Sequence, residues 1–319
     1  MAILRALLAA LSLLAASHAD AQTYPDRAIR LIVGFTPGSA TDISARMFAQ
    51  KLTDAWNVPV TVENIPGAGG SVGGERVGHS PPDGYTLYWG ANGALTINPS
   101  LQINPTFEPL RDLAPVARLL VACSILAVNN DVPAKSVAEL IALAKAQPGK
   151  LSFASPGAGT PQHIAGEVFK RQAGIDIVHV PYRGANFTDV IGGRITMTFQ
   201  NAGAILPTVR EGKLRGLAVT SLTRSPNMPE FPTMVEAGVP DFEATSWFGL
   251  LAPAGTPQPI IAKLHRQAVE IVQQPQMVQN LGKIGLDVVS DPPDVFAGII
   301  RTDTAKWAKV IKDAGIKGE

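Results

Sequence analysis

The feature of this sequence that most restricts its fold is an arrangement that occurs twice: a strand-like run, a loop of small residues and a helix-like segment. The first copy joins the β-rich run 29–35 through the loop TPGSATD to residues 43–56, where apolar residues recur at helical spacing. The second copy joins the strand 151–154 through SPGAGTP to the helix 162–172. Because strands alternate with helices along the chain, we expect an α/β fold with parallel sheets and helices on both faces.

Each of the two loops is expected to present backbone N–H groups at the first turn of a helix, which is a favourable place for an anion. The loops supply glycines for close backbone approach and hydroxyl donors, but neither contains Lys or Arg. This composition favours a carboxylate over a phosphate. The same residues also suit ordinary strand-to-helix turns, where Thr41 and Asp42 would only begin the helix, so both interpretations stay open. The loop residues concerned are Gly38, Ser39, Thr41, Ser155, Gly157, Gly159 and Thr160.

The charge of the chain excludes several classes of partner. Charged residues make up 17% of the sequence and the formal net charge is +1. Such a chain lacks the basic surface that nucleic-acid binding requires, and it shows no basic amphipathic segment for a membrane surface. We therefore expect no nucleic-acid partner.

The N-terminus has the pattern of a secretory signal peptide. A positive charge at Arg5 precedes an apolar run over 6–16, and Ala19-Asp20-Ala21 offers a cleavage site. The apolar run is too short to span a bilayer, which takes about 20 apolar residues. The expected signal peptide is 1–21, and the expected location of the mature protein is the periplasm.

Signals for enzymatic chemistry are weak. The glycine-rich segments fail the dinucleotide-binding pattern, because Val72 and Gln162 occupy the third glycine position. Ser155 and His163 lie in one loop–helix unit and suggest a hydrolase pair, but no orienting acid is identifiable. The histidines show no metal-ligand spacing, so neither a metal nor a cofactor is expected. The single cysteine, Cys123, lies in an apolar stretch and is expected to be a buried structural thiol.

Several longer segments resemble one known family over essentially the whole mature chain. They are YPDRAIRLIVGFTPGSATDISAR, VTVENIPGAGGSVGGERV, PDGYTLYWGANGALTINPSL, VPAKSVAELIALAKAQPGKLSFASPGAGTPQHIAGEVF, IVHVPYRG, GKLRGLAVTS and FPTMVEAGVPDFEATSWFGLLAPAGTP. In combination they resemble the Bug/TctC family, the periplasmic substrate-binding proteins of tripartite tricarboxylate transporters.

The resemblance implies a two-lobe Venus-flytrap fold of the type II periplasmic binding proteins, with mixed sheets and helices on both faces. It places lobe 1 at 22–124 plus 248–319 and lobe 2 at 125–247. It also implies that the two loops grip a ligand carboxylate from opposite lobes. The implied binding residues are Thr36, Gly38, Ser39, Ala40 and Thr41 in the first loop, Ser155, Gly157, Gly159, Thr160 and His163 in the second, and Ala91, Asn92, Arg183, Gln200 and Asn201 around them.

Three positions depart from the family pattern, and all fall on the expected pocket. Ser39 stands where the family usually has a second glycine, which adds a hydroxyl and restricts the backbone. Gln200 replaces an acid that often follows the phenylalanine at 199, so this position would not repel a second carboxylate. The loop after Gly184 is about two residues shorter than usual. These departures bear on the choice of ligand.

The function that the resemblance implies is capture of a small organic acid and its delivery to the membrane components of a tripartite tricarboxylate transporter, by a monomer without enzymatic activity. One alternative is a ligand-sensing subunit that presents to a membrane-bound two-component sensor kinase. Another is a secreted hydrolase that uses Ser155 and His163. The ligand stays open among di- and tricarboxylates, aromatic acids, acidic amino acids and nicotinate-like compounds.

Overall fold

The computed structural model describes residues 24–101, 106–157, 160–182 and 187–315. The expected signal peptide therefore lies outside the described residues. The described chain forms two β-sheets. The strands of the first sheet are β1 (Ile29–Val33), β2 (Val60–Asn64), β3 (Thr86–Ala91), β4 (Leu113–Ala122), β10 (Ser246–Pro253) and β11 (Asp287–Asp291). The strands of the second are β5 (Ser124–Val128), β6 (Ser152–Ser155), β7 (Val178–Pro181), β8 (Met197–Asn201) and β9 (Arg215–Val219).

Ten α-helices are present in the described ranges. Those joined to the first sheet are α1 (Ala40–Trp56), α2 (Ser71–Gly78), α3 (Pro109–Asp112), α8 (Gln258–Val272), α9 (Pro275–Lys283) and α10 (Pro293–Ala314). Those joined to the second are α4 (Val137–Ala146), α5 (Pro161–Ala173), α6 (Thr188–Ile191) and α7 (Ala202–Arg210). None of these helices combines the length and the apolar character that crossing a bilayer requires.

Both sheets are mixed, so the expectation of parallel sheets from the alternation of strands and helices is wrong. The strand orders are β11-β4-β10-β3-β1-β2 and β7-β6-β8-β5-β9. Strands β1, β2 and β3 run parallel, as do β6, β7 and β8, but β10 is antiparallel to both of its neighbours and so is β5. The two antiparallel strands are those at which the chain changes sheet. The chain passes directly from β4 in the first sheet to β5 in the second, and it returns to the first sheet at β10.

Apolar side chains form a core on both faces of each sheet, because successive side chains along a strand point to opposite faces. In β1, Leu31 and Val33 pack with α1 and α8, whereas Ile32 packs on the opposite face with Val77 of α2 and Phe296 of α10. The second sheet is covered by α4 and α5 on one face and by α6 and α7 on the other. Helices therefore lie on both faces of both sheets.

Three segments connect the two sheets. Cys123 alone separates β4 from β5, and Thr245 lies just before β10. The third segment is α10, which packs Phe296 into the core of the first sheet and Trp307 into that of the second. Cys123 is fully buried, as expected for a structural thiol.

Candidate functional site

A cavity of about 420 Å³ lies where the carboxyl ends of β1 and β3 face the second sheet. In open α/β sheets ligands bind beyond the carboxyl ends of the strands. Of the fifteen site residues expected from the sequence, seven line this cavity: Ser39, Ala40, Thr41, Ala91, Asn92, Thr160 and Asn201. Two more, Gly159 and Arg183, lie outside the described residues, as does the shortened loop after Gly184.

A larger cavity of about 620 Å³ lies on the other side of the connecting segments, against β4 and β11. Its lining includes Arg118, Leu222 and Asp287 but none of the expected site residues. The smaller cavity is the better candidate for a ligand site, because α1, which is joined to the first sheet, and α5, which is joined to the second, both begin at its wall.

The first loop ends in a helix cap. Ser39 caps α1, and its hydroxyl oxygen accepts the backbone N–H of Asp42 at 3.2 Å. The carboxylate of Asp42 in turn accepts the backbone N–H of Gly38 at 2.9 Å. Gly38 takes a positive φ of 82° and is exposed, and its N–H is already occupied. Gly38 and Asp42 are both bonded within this helix start, and neither residue lines the cavity.

Asp42 also fixes the surroundings of the loop. Its carboxylate accepts hydrogen bonds from Arg46 Nε at 3.0 Å and from Asn64 Nδ2 at 2.9 Å. Burial by itself raises the pKa of Asp42, but the hydrogen bonds from Arg46, Gly38 and Asn64 outweigh it and hold the pKa below its ordinary value. Asp42 is therefore ionised and committed to the scaffold.

A set of hydrogen-bond donors stays open at the start of α1. The N–H groups of Ala40 and Thr41 have no acceptor within the helix, because the first turn of a helix never supplies one. The Thr41 side chain is 5% exposed and lines the cavity, and its hydroxyl makes no hydrogen bond to any described residue. The same holds for Ser246, at 7% exposure, on β10. These groups can receive an anion or another acceptor.

The second loop is arranged differently. Thr160 caps α5, donating its hydroxyl hydrogen to the Gly157 carbonyl at 2.7 Å and accepting the N–H of His163 at 3.3 Å. The next residue, Pro161, has no N–H to offer. Ser155 does not line the cavity, since its hydroxyl binds His179 Nε2 at 2.7 Å and accepts the Gly157 N–H at 3.2 Å. Ser155 and Gly157, both expected ligand contacts, thus bond to protein groups in this structure and do not line the cavity.

His163 belongs to a stack of aromatic rings. Its imidazole lies parallel to that of His179, with centroids 3.8 Å apart, and Phe153 stacks on the far side of His179 at 4.8 Å. Burial, together with the neighbouring His179 and Lys170, lowers the pKa of His163 to about 4. Burial and Lys170 likewise lower the pKa of His179 to about 4. Both rings are therefore neutral near pH 7.

The stack contradicts the hydrolase hypothesis based on Ser155 and His163. The histidine that hydrogen-bonds to Ser155 is His179, which follows 24 residues later on β7. No carboxylate among the described residues hydrogen-bonds to His179, so the pair has no orienting acid. Ser155 is also fully buried and cannot meet a substrate in the cavity.

Three further expected residues lie behind the cavity wall or outside it. Thr36 is exposed and accepts the Ser39 N–H through its carbonyl at 3.3 Å. Gln200 is 1% exposed, and its Nε2 has no hydrogen-bond partner among the described residues. His163 lies in the ring stack and does not line the cavity. The neighbour of Gln200, Asn201, does line it, and its Oδ1 accepts Gln162 Nε2 at 2.6 Å.

The cavity also contains residues that the sequence did not indicate. They are Phe35, Ala68, Gly69, Gly93, Asn98, Leu101, Pro161, Gln162, Ser246 and Phe248. Phe35 is the last residue of the strand-like run, directly before the first loop, and could have been found from that position. Phe248 and Ser246 come from β10 and reach the cavity only because that strand inserts beside β3.

The described lining carries no charged side chain, and no group of three or more metal-ligating side chains occurs in the described ranges. Its polar atoms are amides, hydroxyls and helix N–H groups. Such a set can orient a small ligand and solvate one anionic group.

Comparison with known proteins identifies the family of the chain. The model of the tripartite tricarboxylate transporter family receptor, TctC, matches residues 44–316. The chain is 37% identical to protein BugT of Bordetella pertussis over 95% of this chain and 94% of BugT. Among solved structures, R. palustris Rpa4515 with adipate is 32% identical with a TM-score of 0.79, over 92% of this chain and 99% of that one. The periplasmic binding protein BugD is 29% identical with a TM-score of 0.76, over 93% and 100%.

The fold is thus the two-lobe α/β fold of periplasmic binding proteins, as the resemblance implied. The matched family is one of solute-binding receptors and not of enzymes. With the family model covering most of the sequence, the chain belongs to the TctC family of tripartite tricarboxylate transporter receptors.

Proposed function

We propose that this protein binds a small organic carboxylate in the 420 Å³ cavity and delivers it to the membrane components of a tripartite tricarboxylate transporter. The observation that carries the proposal is the set of open donors at the start of α1. The N–H groups of Ala40 and Thr41 and the buried hydroxyl of Thr41 converge on a cavity that the second sheet closes from the other side. The relative crystallised with adipate supports the choice of a carboxylate.

The available interactions are strong enough for a transport receptor. A hydrogen bond to a charged group contributes about 1.5–3 kcal/mol, and a helix N-terminus adds about 0.3–1 kcal/mol. Micromolar affinity needs about 8 kcal/mol. Three donors on the carboxylate, the helix terminus and burial of the rest of the ligand reach this range.

The proposal includes the setting of the protein. We place it in the periplasm as a monomer, after removal of the signal peptide 1–21. The two lobes would be 22–124 plus 248–319 and 125–247, with the cavity between them. The end of α10 would then lie on the core of lobe 2, since Trp307 packs there.

The binding step is tested by a thermal-shift screen of ligand-free protein against organic acids. An acid at about 100 times its Kd should add about 2.7 kcal/mol to the free energy of unfolding and raise Tm. Thr41→Val, which keeps the side-chain shape, should weaken binding about tenfold. The control is Thr208→Val on α7, a half-buried threonine outside the cavity, which should bind as the parent does.

The screen can also contradict the proposal. If no acid shifts Tm, or if Thr41→Val binds the acid as tightly as the parent, the donors on α1 do not form the site. Delivery is tested separately by uptake of the identified acid in cells that lack this protein, with the parent and Thr41→Val supplied in turn. Uptake that does not depend on the protein would contradict the transport role.

A further inference from the structure

The strand orders place two regions on opposite sides of the connections at Cys123 and Thr245. In the first sheet, β4 and β10 carry these connections, with β11 on one side of them and β3 and β1 on the other. In the second sheet, β5 carries one connection, with β9 on one side and β8 and β6 on the other. The 420 Å³ cavity lies on the side of β3 and β8, since Asn92 follows β3 and Asn201 ends β8. The strand β11 and the segment after β9 therefore meet on the far side of the connections.

The segment 221–245, which follows β9, packs on the second sheet. Its residues Met228 and Phe242 are buried in the two cores of that sheet. Thr233 also forms a parallel β-bridge with Val219 of β9. We therefore expect this segment to move with the second sheet.

Two side chains of this segment reach across to the first sheet. Ser225 Oγ donates to Asp287 Oδ1 on β11 at 3.0 Å, and Asn227 Nδ2 donates to the same oxygen at 2.7 Å. Asn227 also packs on α9, since a Cβ at Gly282 would lie 2.5 Å from its Oδ1. Asn227 and Asp287 line the 620 Å³ cavity, so these hydrogen bonds join the two sheets on the side away from the candidate ligand site.

Backbone packing beside these hydrogen bonds limits motion in one direction. A Cβ at Gly203, in the first turn of α7, would lie 2.1 Å from the carbonyl oxygen of Ile284. A Cβ at Gly285 would in turn lie 2.2 Å from the backbone nitrogen of Gly203. The two segments are thus in backbone contact and cannot approach further. A rotation about the connections can therefore only widen this side, and it narrows the 420 Å³ cavity as it does so.

We propose that the hydrogen bonds of Ser225 and Asn227 to Asp287 form a latch that holds the ligand cavity in its open form. Closure of the cavity around a ligand must separate β11 from the segment 221–245 and break these hydrogen bonds. The latch therefore favours the open form and lowers the apparent affinity for the ligand, because only the closed form binds tightly. This inference rests on the proposed function and concerns how the affinity of that site is set.

The test measures ligand affinity by calorimetric titration of the full chain with adipate. Asn227→Ala removes the shorter hydrogen bond and should tighten binding about fivefold, a modest factor because Asn227 is exposed to water. Asp287→Ala removes both hydrogen bonds and should tighten binding about tenfold. If adipate does not bind the parent, the acid that gives the largest Tm shift in the screen replaces it.

Thermal unfolding of the ligand-free variants supplies a second readout. Both variants should lower Tm, because the open form loses a hydrogen bond that it makes in the parent. Lower stability combined with tighter binding is a pair of changes that a purely structural contact does not produce. Asn130→Ala is the matched control, since Asn130 is exposed and its Nδ2 donates to the Gly212 carbonyl at 2.7 Å within the part of the chain that carries the second sheet. It should lower Tm and leave the affinity unchanged.

The outcomes separate the two proposals. Folded Asn227→Ala and Asp287→Ala proteins that bind the acid as the parent does, or more weakly, overturn this inference and leave the proposed function intact. Equal tightening in Asn130→Ala also overturns it, because any loss of stability would then have the same effect. If no organic acid binds the parent, the proposed function fails together with the inference.

Discussion

The carboxylate of Asp42 accepts the backbone N–H of Gly38, four residues earlier, at 2.9 Å. This hydrogen bond closes the first loop on itself and leaves the N–H groups of Ala40 and Thr41 as the open ones. The loop is therefore held by a side chain that does not line the cavity. It follows that the stability of the protein and the shape of the site depend on the same carboxylate.

Replacement of Asp42 by asparagine should lower the free energy of unfolding by about 1–3 kcal/mol, because buried partners lose a charged acceptor. Urea unfolding at neutral pH measures this change. Asp54→Asn is the control, since Asp54 is exposed on α1 and, within the described part of the chain, accepts a side-chain hydrogen bond from Gln50 alone. An equal decrease in the free energy of unfolding of both variants would show that the hydrogen bonds around Asp42 stabilise the protein no more than those of an exposed carboxylate do.

Asp42 also predicts a dependence of stability on acid. Its pKa in the folded protein lies below the ordinary 3.8, so the folded state favours the ionised form. The contribution is fully present above pH 3.8 and is lost as pH falls through the lower folded pKa. Unfolding free energies measured in this acidic window should fall less steeply for Asp42→Asn than for the parent, and parallel curves would contradict the assignment.

The stacked pair His163 and His179 predicts a second pH dependence, nearer to neutrality. Both pKa values fall from 6.5 to about 4 on folding, chiefly through burial. Their contribution is fully present above pH 6.5 and is lost as pH falls toward 4, because only the unfolded chain takes up protons readily in that window. Unfolding titrations across it should give a shallower slope for His179→Gln.

The contact between Gly203 and the turn before β11 predicts a position that does not tolerate alanine. A Cβ at Gly203 would lie 2.1 Å from the carbonyl oxygen of Ile284, so helix α7 packs here directly on the backbone of the turn between α9 and β11. Gly203→Ala should cost about 1–3 kcal/mol of unfolding free energy by overpacking. Gly298→Ala, on α10 with open space around it, should be neutral or stabilise by up to about 1 kcal/mol. Chemical denaturation of both variants tests this prediction. Equal free energies of unfolding for the two variants would show that the backbone around Gly203 and Ile284 can relax to accept the added methyl group.

Cys123 should be chemically inert in the folded protein. Its thiol is fully buried, and burial, with Asp287 nearby, raises its pKa to about 12. Because the thiolate is the reactive species, a thiol-specific reagent should label the native protein only at the rate of unfolding. Labelling that is fast without denaturant would show that the connection between β4 and β5 opens on its own.

Local signals in the sequence predicted the local structure well. The Ser-x-x-Glu spacing of Ser136 and Glu139 predicts a helix start, and Ser136 does cap α4, accepting the Glu139 N–H at 3.2 Å. The Glu139 carboxylate accepts the N–H of Lys135 and not that of the cap. The starts of α1 and α5 were also predictable, because Ser39 and Thr160 act within three residues of themselves. Such contacts depend on little beyond neighbouring residues.

Features that depend on distant contacts were not predictable. The direction of the Ser155 hydroxyl is decided by His179 on β7, and Phe248 joins the cavity because β10 pairs with β3 from far along the sequence. The strand β11 was missed because all of its residues are half-buried or exposed, so no clear apolar alternation marks it. The sequence predicts a helix over 257–274, but the separate helix that begins at Pro275 was missed.

The interleaved topology of the two sheets has a consequence for how the chain folds. All strands of the second sheet lie between residues 124 and 219, so this sheet can assemble as soon as that stretch has been synthesised. In the first sheet, β3 and β4 cannot be joined until β10, at 246–253, has been synthesised, and until then the edge of β3 that β10 will cover has no partner. Closing such a long loop is slow relative to local pairing. The rate at which this protein becomes resistant to proteases is therefore expected to be set by the pairing of β10 with β3.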